Sequence, residues 1–148
     1  MRAVVFDLNG TLLNVRENAL YPHAAELLAM LRRLGVSVGV LTSGSNHSLE
    51  TLEQLGVRHY FGSVVPADRI LYSKPHPSGL LLVLEELRAQ PHEAIMVGDM
   101  AVDILAGKNA AVGKTVGVTH GFGSSTDLQT AGADHLIPNL AHLLDVLE

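Results

Sequence analysis

Four short apolar runs punctuate the chain: Ala3 to Phe6, Val36 to Leu41, Ala94 to Val97 and Thr115 to Val118. Each is too short for a helix and too continuously apolar for a strand with one wet face, so each is predicted to be a strand buried on both sides, as in a parallel sheet. Between these runs the apolar positions recur with helical period. Pro22 to Leu34 opens with a proline near its first turn, places Ala25, Leu28 and Leu31 along one face and stops at Gly35, which predicts a helix punctuated at both ends. Asn46 to Leu55, ending at Gly56, and Pro77 to Arg88, stopping before Pro91, are read as helices in the same way. Met100 to Asn109, which contains Gly107, and Leu140 to Leu147 are shorter helical stretches. Strand and helix alternating in this order predict an α/β fold: a doubly wound, Rossmann-like parallel sheet with helices on both faces. No repeat, low-complexity tract or linker interrupts it, so residues 1–148 are expected to form a single core domain.

Composition narrows the chemistry. With 148 residues, 47% of them hydrophobic, the chain is long enough to bury roughly 68–70% of its unfolded surface without staples. The absence of Cys excludes a disulfide framework, thiolate metal sites and a cysteine nucleophile. Fifteen Asp and Glu against ten Lys and Arg leave a net charge of -5, which argues against a nucleic-acid partner. No apolar stretch approaches the roughly 20 residues that span a bilayer, and only a short one precedes Asp7, so a soluble, cytoplasmic chain with no membrane partner is expected.

Ligands of open parallel sheets bind beyond the carboxyl ends of the strands. Asp7-Leu8-Asn9-Gly10-Thr11, Thr42-Ser43-Gly44-Ser45 and Gly98-Asp99-Met100-Ala101-Val102-Asp103 each follow a predicted strand. A single aspartate at a strand end more often caps a turn. Here Asp99 repeats the placement of Asp7, and Asp103 follows it by one helical turn. If the two strands are neighbours, three carboxylates converge on a site suited to a hard cation such as Mg²⁺; for Asp103 a helix N-terminal acid favoured by the dipole is the competing reading. Thr42 and Ser43 precede a helix, where hydroxyls and free N–H groups suit either a phosphate oxygen or N-capping. Lys74, just before Pro75, is placed to neutralise phosphoryl charge, although loop lysines are ordinarily solvated. The eight histidines, at 23, 47, 59, 76, 92, 120, 135 and 142, show no helical metal-site spacing and are read as scattered surface residues. Gly121-Phe122-Gly123 lacks the third glycine and following helix of a dinucleotide fingerprint and is read as a flexible loop.

Taken in order, Asp7-x-Asn9-Gly10-Thr11, Thr42, Lys74-Pro75 and Gly98-Asp99-x-x-x-Asp103 resemble the four motifs of the haloacid dehalogenase-like hydrolase superfamily. Val116 to Gly123 and Ala133-Asp134 resemble the later part of its phosphoglycolate-phosphatase-like members. The resemblance implies that Asp7 attacks phosphorus to form an aspartyl phosphate, that Thr42 holds a phosphoryl oxygen with Ser43 beside it, and that Lys74 balances charge. It also implies Mg²⁺ on Asp7, Asp99 and the backbone carbonyl of Asn9, with Asp103 a direct or indirect metal partner. One position departs from the pattern. The family's acid/base aspartate, two residues after the nucleophile, is Asn9, whose amide can orient a group but cannot exchange a proton near neutral pH. The expected activity is therefore a Mg²⁺-dependent phosphate monoester phosphatase, slowed by Asn9. The alternative is a catalytically impaired phosphate-binding or interaction module of the same fold. Dehalogenase and phosphonatase readings are weaker: halide displacement needs no acidic metal motif, and no cap lysine is evident.

The intervals from Asp7 to Thr42 and from Thr42 to Lys74 are filled by the predicted elements, leaving no room for the cap domain that many relatives insert there. An open site predicts help from outside the chain. The favoured source is a homo-oligomer with its interface near the loop from Asn14 to Tyr21; a phosphorylated macromolecular substrate, in place of a small molecule, is the alternative.

Overall fold

The alternating segments fold around one parallel sheet in a computed structural model that describes residues 1–44 and 47–148. In chain order the elements are β1 (Ala3–Phe6), the two-residue strands β2 (Leu13–Asn14) and β3 (Ala19–Leu20), α1 (Ala24–Arg33), β4 (Ser37–Leu41), α2 (His47–Gln54), β5 (Ser63–Val65), α3 (Ser78–Leu87), β6 (Ala94–Gly98), α4 (Ala101–Asn109), β7 (Lys114–Val118), α5 (Ser125–Thr130) and β8 (His135–Ile137). Short 3-10 turns join several of them, and a longer one, Leu140–Val146, follows β8. The six-stranded sheet has the order β5-β4-β1-β6-β7-β8 with every ladder parallel, while β2 and β3 form a separate antiparallel hairpin. This is the doubly wound α/β arrangement expected from the alternation.

The continuous apolar runs are explained by cores on both faces. Side chains alternate across a strand, so Val4 and Phe6 of β1 pack with Leu27, Leu28 and Leu31 of α1 and with Leu140 and Leu143. Ala3 and Val5 face the other way, toward Leu80, Val83 and Leu84 of α3 and Met96 of β6. Burying a leucine fully is worth about 1.5–3 kcal/mol, and a one-residue slip of β1 would exchange the two sets, so burial pins the register. In that register Phe6 lies between Val40 of β4 and Val97 of β6. The chain reaches β6 by crossing back over β1 after β5, which makes the β1–β6 edge the topological switch point.

Several boundaries differ from the sequence expectation. Pro22 does not open α1; the N–H of Tyr21 still donates to Leu12 O at 2.9 Å, so Pro22 leaves the hairpin, and His23, at φ 72, is the N-cap. The segment from Leu140 is a 3-10 turn and not an α-helix. β5 and β8 hold three residues each, too few to display a period. Asn46, the expected start of the second helix, lies outside the described residues, as does Ser45. Between Leu13 and Leu20 the described chain forms only a tight hairpin. Between Thr42 and Lys74 lie α2, β5 and the 3-10 turns Arg58–Tyr60 and Ala67–Arg69.

Candidate active site

β1 delivers Asp7 to the carboxyl edge of the sheet, where its N–H donates to Val97 O at 2.9 Å and continues the ladder one residue past the strand. The chain then winds sharply, the N–H groups of Thr11, Leu12 and Leu13 all donating to Leu8 O at 3.2, 2.9 and 2.9 Å. Gly10 makes the turn at φ 87, and a Cβ there would stand 2.2 Å from Asp99 Oδ2. Only glycine permits both the left-handed backbone and this approach of the first loop to a carboxylate from β6.

Asp7, Asp99 and Asp103 come together as the sequence predicts, with a carboxylate oxygen from each lying within 4.8 Å of the others. They are 8%, 0% and 1% exposed. Lys74 Nζ donates to Asp7 Oδ1 at 2.9 Å and to Asp103 Oδ1 at 2.6 Å, with its own side chain only 4% exposed. Asp103 sits in the first turn of α4, and its other oxygen accepts the N–H of Met100 at 3.1 Å. Asp103 thus caps the helix start, as the helix-acid reading has it, and in addition anchors the lysine. Asp99 is held by the hydroxyl of Thr11 at 3.0 Å and the N–H of Phe122 at 2.9 Å. A Cβ on Gly98 would fall 2.2 Å from that of Asp103, so the bare backbone there lets α4 fold its acid over the strand end.

Burial pushes the Asp7 carboxyl up to about 6; Lys74 pulls it back and Asp99 pushes it further up. Asp103 is likewise pushed up to about 6 by burial and by Asp7, against the pull of Lys74. Burial works against the charge of Lys74, but Asp103 and Asp7 outweigh it and lift its pKa above the ordinary value. Three carboxylates therefore face one ammonium in a dry setting. An oxygen-only donor set with excess negative charge fits a hard divalent cation. The backbone carbonyl of Asn9 accepts no hydrogen bond among the described residues, which leaves it available as a further oxygen.

Above the carboxylates opens a cavity of about 260 Å³ lined by Asp7, Asn9, Thr42, Ser43, Lys74 and Asp103, with Phe122 at its edge. Thr42 is buried, its Oγ1 accepting the N–H of Gly44 at 3.0 Å, while Ser43 and Asn9 are exposed. Two readings from the sequence need correction. Gly121-Phe122-Gly123 is not a free loop: besides the Phe122 contact, the N–H of Gly123 donates to Asp99 O at 3.1 Å. His120 is not a surface histidine but half-buried, its Nε2 donating to Thr11 O at 2.9 Å and its ring stacked on Tyr21 with centroids 3.7 Å apart. The available signal was position, because this segment follows β7 at the same sheet edge.

Residues 15–111, well over half of the chain, match the haloacid dehalogenase-like hydrolase family; this span holds Thr42, Lys74, Asp99 and Asp103, and Asp7 precedes it. The chain is similar to the phosphoglycolate phosphatase of Vibrio vulnificus (strain YJ016), 34% identical over 129 residues that cover 86% of this chain and 56% of the relative. It is 26% identical to the pyrophosphatase PpaX of Oceanobacillus iheyensis over 90% of this chain and 64% of that protein. The chain thus spans little more than half the length of the curated relatives it matches. In fold it resembles the crystal structure of a predicted phosphoglycolate phosphatase from Haemophilus somnus 129PT, with a TM-score of 0.91 at 18% identity, covering 100% of this chain and 98% of the other. By the family match over residues 15–111 and the identity to curated relatives, the chain belongs to the haloacid dehalogenase-like hydrolase family.

Proposed function

We propose that the chain carries a Mg²⁺-dependent phosphatase core that hydrolyses phosphate monoesters through an aspartyl phosphate on Asp7. The observation that carries this reading is Asp7 itself, held 2.9 Å from the buried Lys74 ammonium and lining an open cavity at the sheet's switch point. The phosphatase and pyrophosphatase names of its relatives point to the same bond, an oxygen–phosphorus bond of a small phosphorylated compound. Asp7, Asp99 and the carbonyl of Asn9 would hold the cation, which when bound supplies Lewis-acid neutralisation of phosphoryl charge.

An oxygen of Asp7 attacks phosphorus, forming the new O–P bond as the ester oxygen departs with its bonding pair. Thr42 and Ser43, on the cavity wall, hold phosphoryl oxygens, and Lys74 offsets the charge that develops on them. Asp103 acts as a positioning residue, fixing Lys74. Water then attacks phosphorus, breaks the Asp7–phosphate bond, and returns the carboxylate with release of inorganic phosphate. The departing alkoxide needs a proton and the attacking water must lose one. Asn9 can hydrogen-bond either but exchange with neither, so bulk water carries both protons and turnover is slow. Asn9 is also what favours the second reading, an impaired phosphate-binding module.

Phosphate release from 2-phosphoglycolate and pyrophosphate, with and without Mg²⁺, tests the proposal on the wild type, Asp7→Asn and Asn9→Asp. Asp7→Asn abolishes release, and Asn9→Asp raises it by roughly 10²–10⁴-fold, the usual effect of a positioned acid/base. Release that persists in Asp7→Asn would overturn the mechanism. Release by Asn9→Asp alone, with none from the wild type, would establish the impaired module.

A further inference from the structure

Among the described residues, the titratable side chains on the catalytic cavity are Asp7, Lys74 and Asp103, and each is already engaged. Lys74 Nζ directs its three protons to Asp7 at 2.9 Å, to Asp103 at 2.6 Å and to the carbonyl of Leu41 at 3.4 Å. Asp103 is 1% exposed, with one oxygen on Lys74 and the other on the N–H of Met100. Asp99 is fully buried, its two oxygens held by the Thr11 hydroxyl and the Phe122 N–H. No His, Glu, Tyr or Cys lines this cavity among the described residues. Tyr21 and His120 line a neighbouring one that shares Phe122 as a wall, and His120 Nε2 is turned to Thr11 O at 2.9 Å. Asn9 is exposed on the cavity wall, and its side-chain amide has no hydrogen-bond partner among the described residues. An amide orients an oxygen but does not exchange its proton, so the cavity holds a nucleophile and a balancing charge without a spare acid or base.

That lack matters for some leaving groups and not for others. An alcohol departs as an alkoxide, about as basic as hydroxide, and leaves slowly unless a proton meets it. A carboxylate is the anion of an acid that ionises near about pH 4, more than about ten units lower than water, and it departs with no proton at all. Hydrolysis of the aspartyl phosphate makes the opposite demand, because the attacking water must lose a proton and no side chain here takes it. Loading of Asp7 is therefore fast from an acyl phosphate, and unloading to water is slow whatever the donor. A cavity of about 260 Å³ equals the share of about nine liquid waters at ~30 Å³ each, room for a phosphoryl group with a short acyl chain.

We propose that the donors suited to this site are acyl phosphates, the mixed anhydrides of a carboxylic acid with phosphoric acid, and that the chain accepts their phosphoryl group on Asp7 and keeps it as a long-lived aspartyl phosphate. This rests on the phosphatase reading above, whose nucleophile it uses, and narrows the donors that reading admits. An Asp7 carboxylate oxygen forms the new O–P bond as the bond from phosphorus to the acyl oxygen breaks, and the released carboxylate carries away the bonding pair. One acyl phosphate replaces another, so the step needs neither acid nor base. The phosphoryl group then stays on Asp7 because water is not activated to remove it.

Acetyl phosphate and ethyl phosphate form a matched pair that differs by a carbonyl in place of a methylene. With Mg²⁺ present, the wild type, Asn9→Asp and Asp7→Asn are mixed with each donor; rapid quench and intact mass follow phosphoryl groups on the chain, and phosphate release is measured in parallel. The wild type gains a single phosphoryl group from acetyl phosphate with little release, and hydroxylamine removes it. Borohydride reduction of the acyl phosphate marks residue 7 in the peptide masses, which locates the group without any variant, and Asp7→Asn gains none. Asn9→Asp loads from ethyl phosphate roughly 10²–10⁴-fold faster than the wild type, the range of a positioned acid/base, while its loading from acetyl phosphate is nearly unchanged and its phosphorylated form no longer accumulates. An equal gain for both donors in Asn9→Asp, or steady release from acetyl phosphate by a wild type that never carries the phosphoryl group, overturns the long-lived acceptor and leaves the phosphatase reading standing. A phosphoryl group absent from all three proteins, with no release from either donor even by Asn9→Asp, overturns the phosphatase reading and the acceptor with it.

Discussion

Replacing Lys74 by methionine keeps most of the buried aliphatic stem and removes only the charge that Asp7 and Asp103 share. At 2.9 and 2.6 Å, and with an effective dielectric of about 20, each contact is worth roughly 6 kcal/mol of gross attraction before desolvation is subtracted. Breaking a buried pair by deleting one partner leaves a net cost of about 3–5 kcal/mol, because the remaining charges stay buried. That cost depends on pH with a definite sign. Both carboxyls have folded pKa values raised to about 6 from 3.8, so the folded state binds more protons than the unfolded one between those values. Stability is therefore fullest below about pH 4 and is lost as pH rises through 6. Removing Lys74 removes a force that lowers both pKa values, so the variant retains a proton that the wild type has shed at pH 8. The wild type binds that proton too below about pH 6, so at about 1.36 kcal/mol per pH unit the deficit shrinks by roughly 3 kcal/mol between pH 8 and pH 5. Urea unfolding without divalent cations measures it directly. Lys74→Met should be about 3–5 kcal/mol less stable at pH 8 and within about 2 kcal/mol of wild type at pH 5, where the carboxyls are neutral and an apolar side chain replaces a buried ammonium. An equal deficit at both pH values would mean that Lys74 contributes packing and not charge balance.

Mg²⁺ affinity should fall as pH drops through about 6, because the proton held by Asp7 must leave before the cation binds. The decline approaches tenfold per unit below that point, and calorimetry in buffers of different ionisation enthalpy counts the proton released; an affinity constant from pH 5 to 7 would remove Asp7 from the ligand set. Gly10→Ala deletes no ligand, but its Cβ would stand 2.2 Å from Asp99 Oδ2 at a backbone φ of 87. It should cost about 1–3 kcal/mol of stability and weaken Mg²⁺ binding; a Mg²⁺ titration that matches wild type would show that the first loop does not position Asp99.

Four of the six sheet strands were legible in the amino-acid sequence because burial on both faces demands unbroken apolar runs such as Ala3 to Phe6 or Ala94 to Val97; β5 and β8, with three residues each, were too short to show one. A polar residue ending such a run stands out, which is why Asp7, Asp99 and Thr42 could be named before any coordinates. The amide at position 9 was equally plain, since it is a matter of chemistry at one position. What only tertiary structure decided was pairing. That Phe6 lies between Val40 and Val97, and so brings Asp7 beside Asp99, follows from sheet order and not from any local pattern. Asp103 as the partner of Lys74 joins residues 29 positions apart, Thr11 with Asp99 spans 88, and His120 with Thr11 spans 109. No helical or strand period reaches across such separations. Gly121-Phe122-Gly123 and His120 read as loop and surface because each of their bonds uses a backbone group, the N–H of Phe122 and of Gly123 toward Asp99 and the carbonyl of Thr11 toward His120, and a backbone N–H or carbonyl has no sequence signature; only folding β7 next to β6 brings this segment to Asp99.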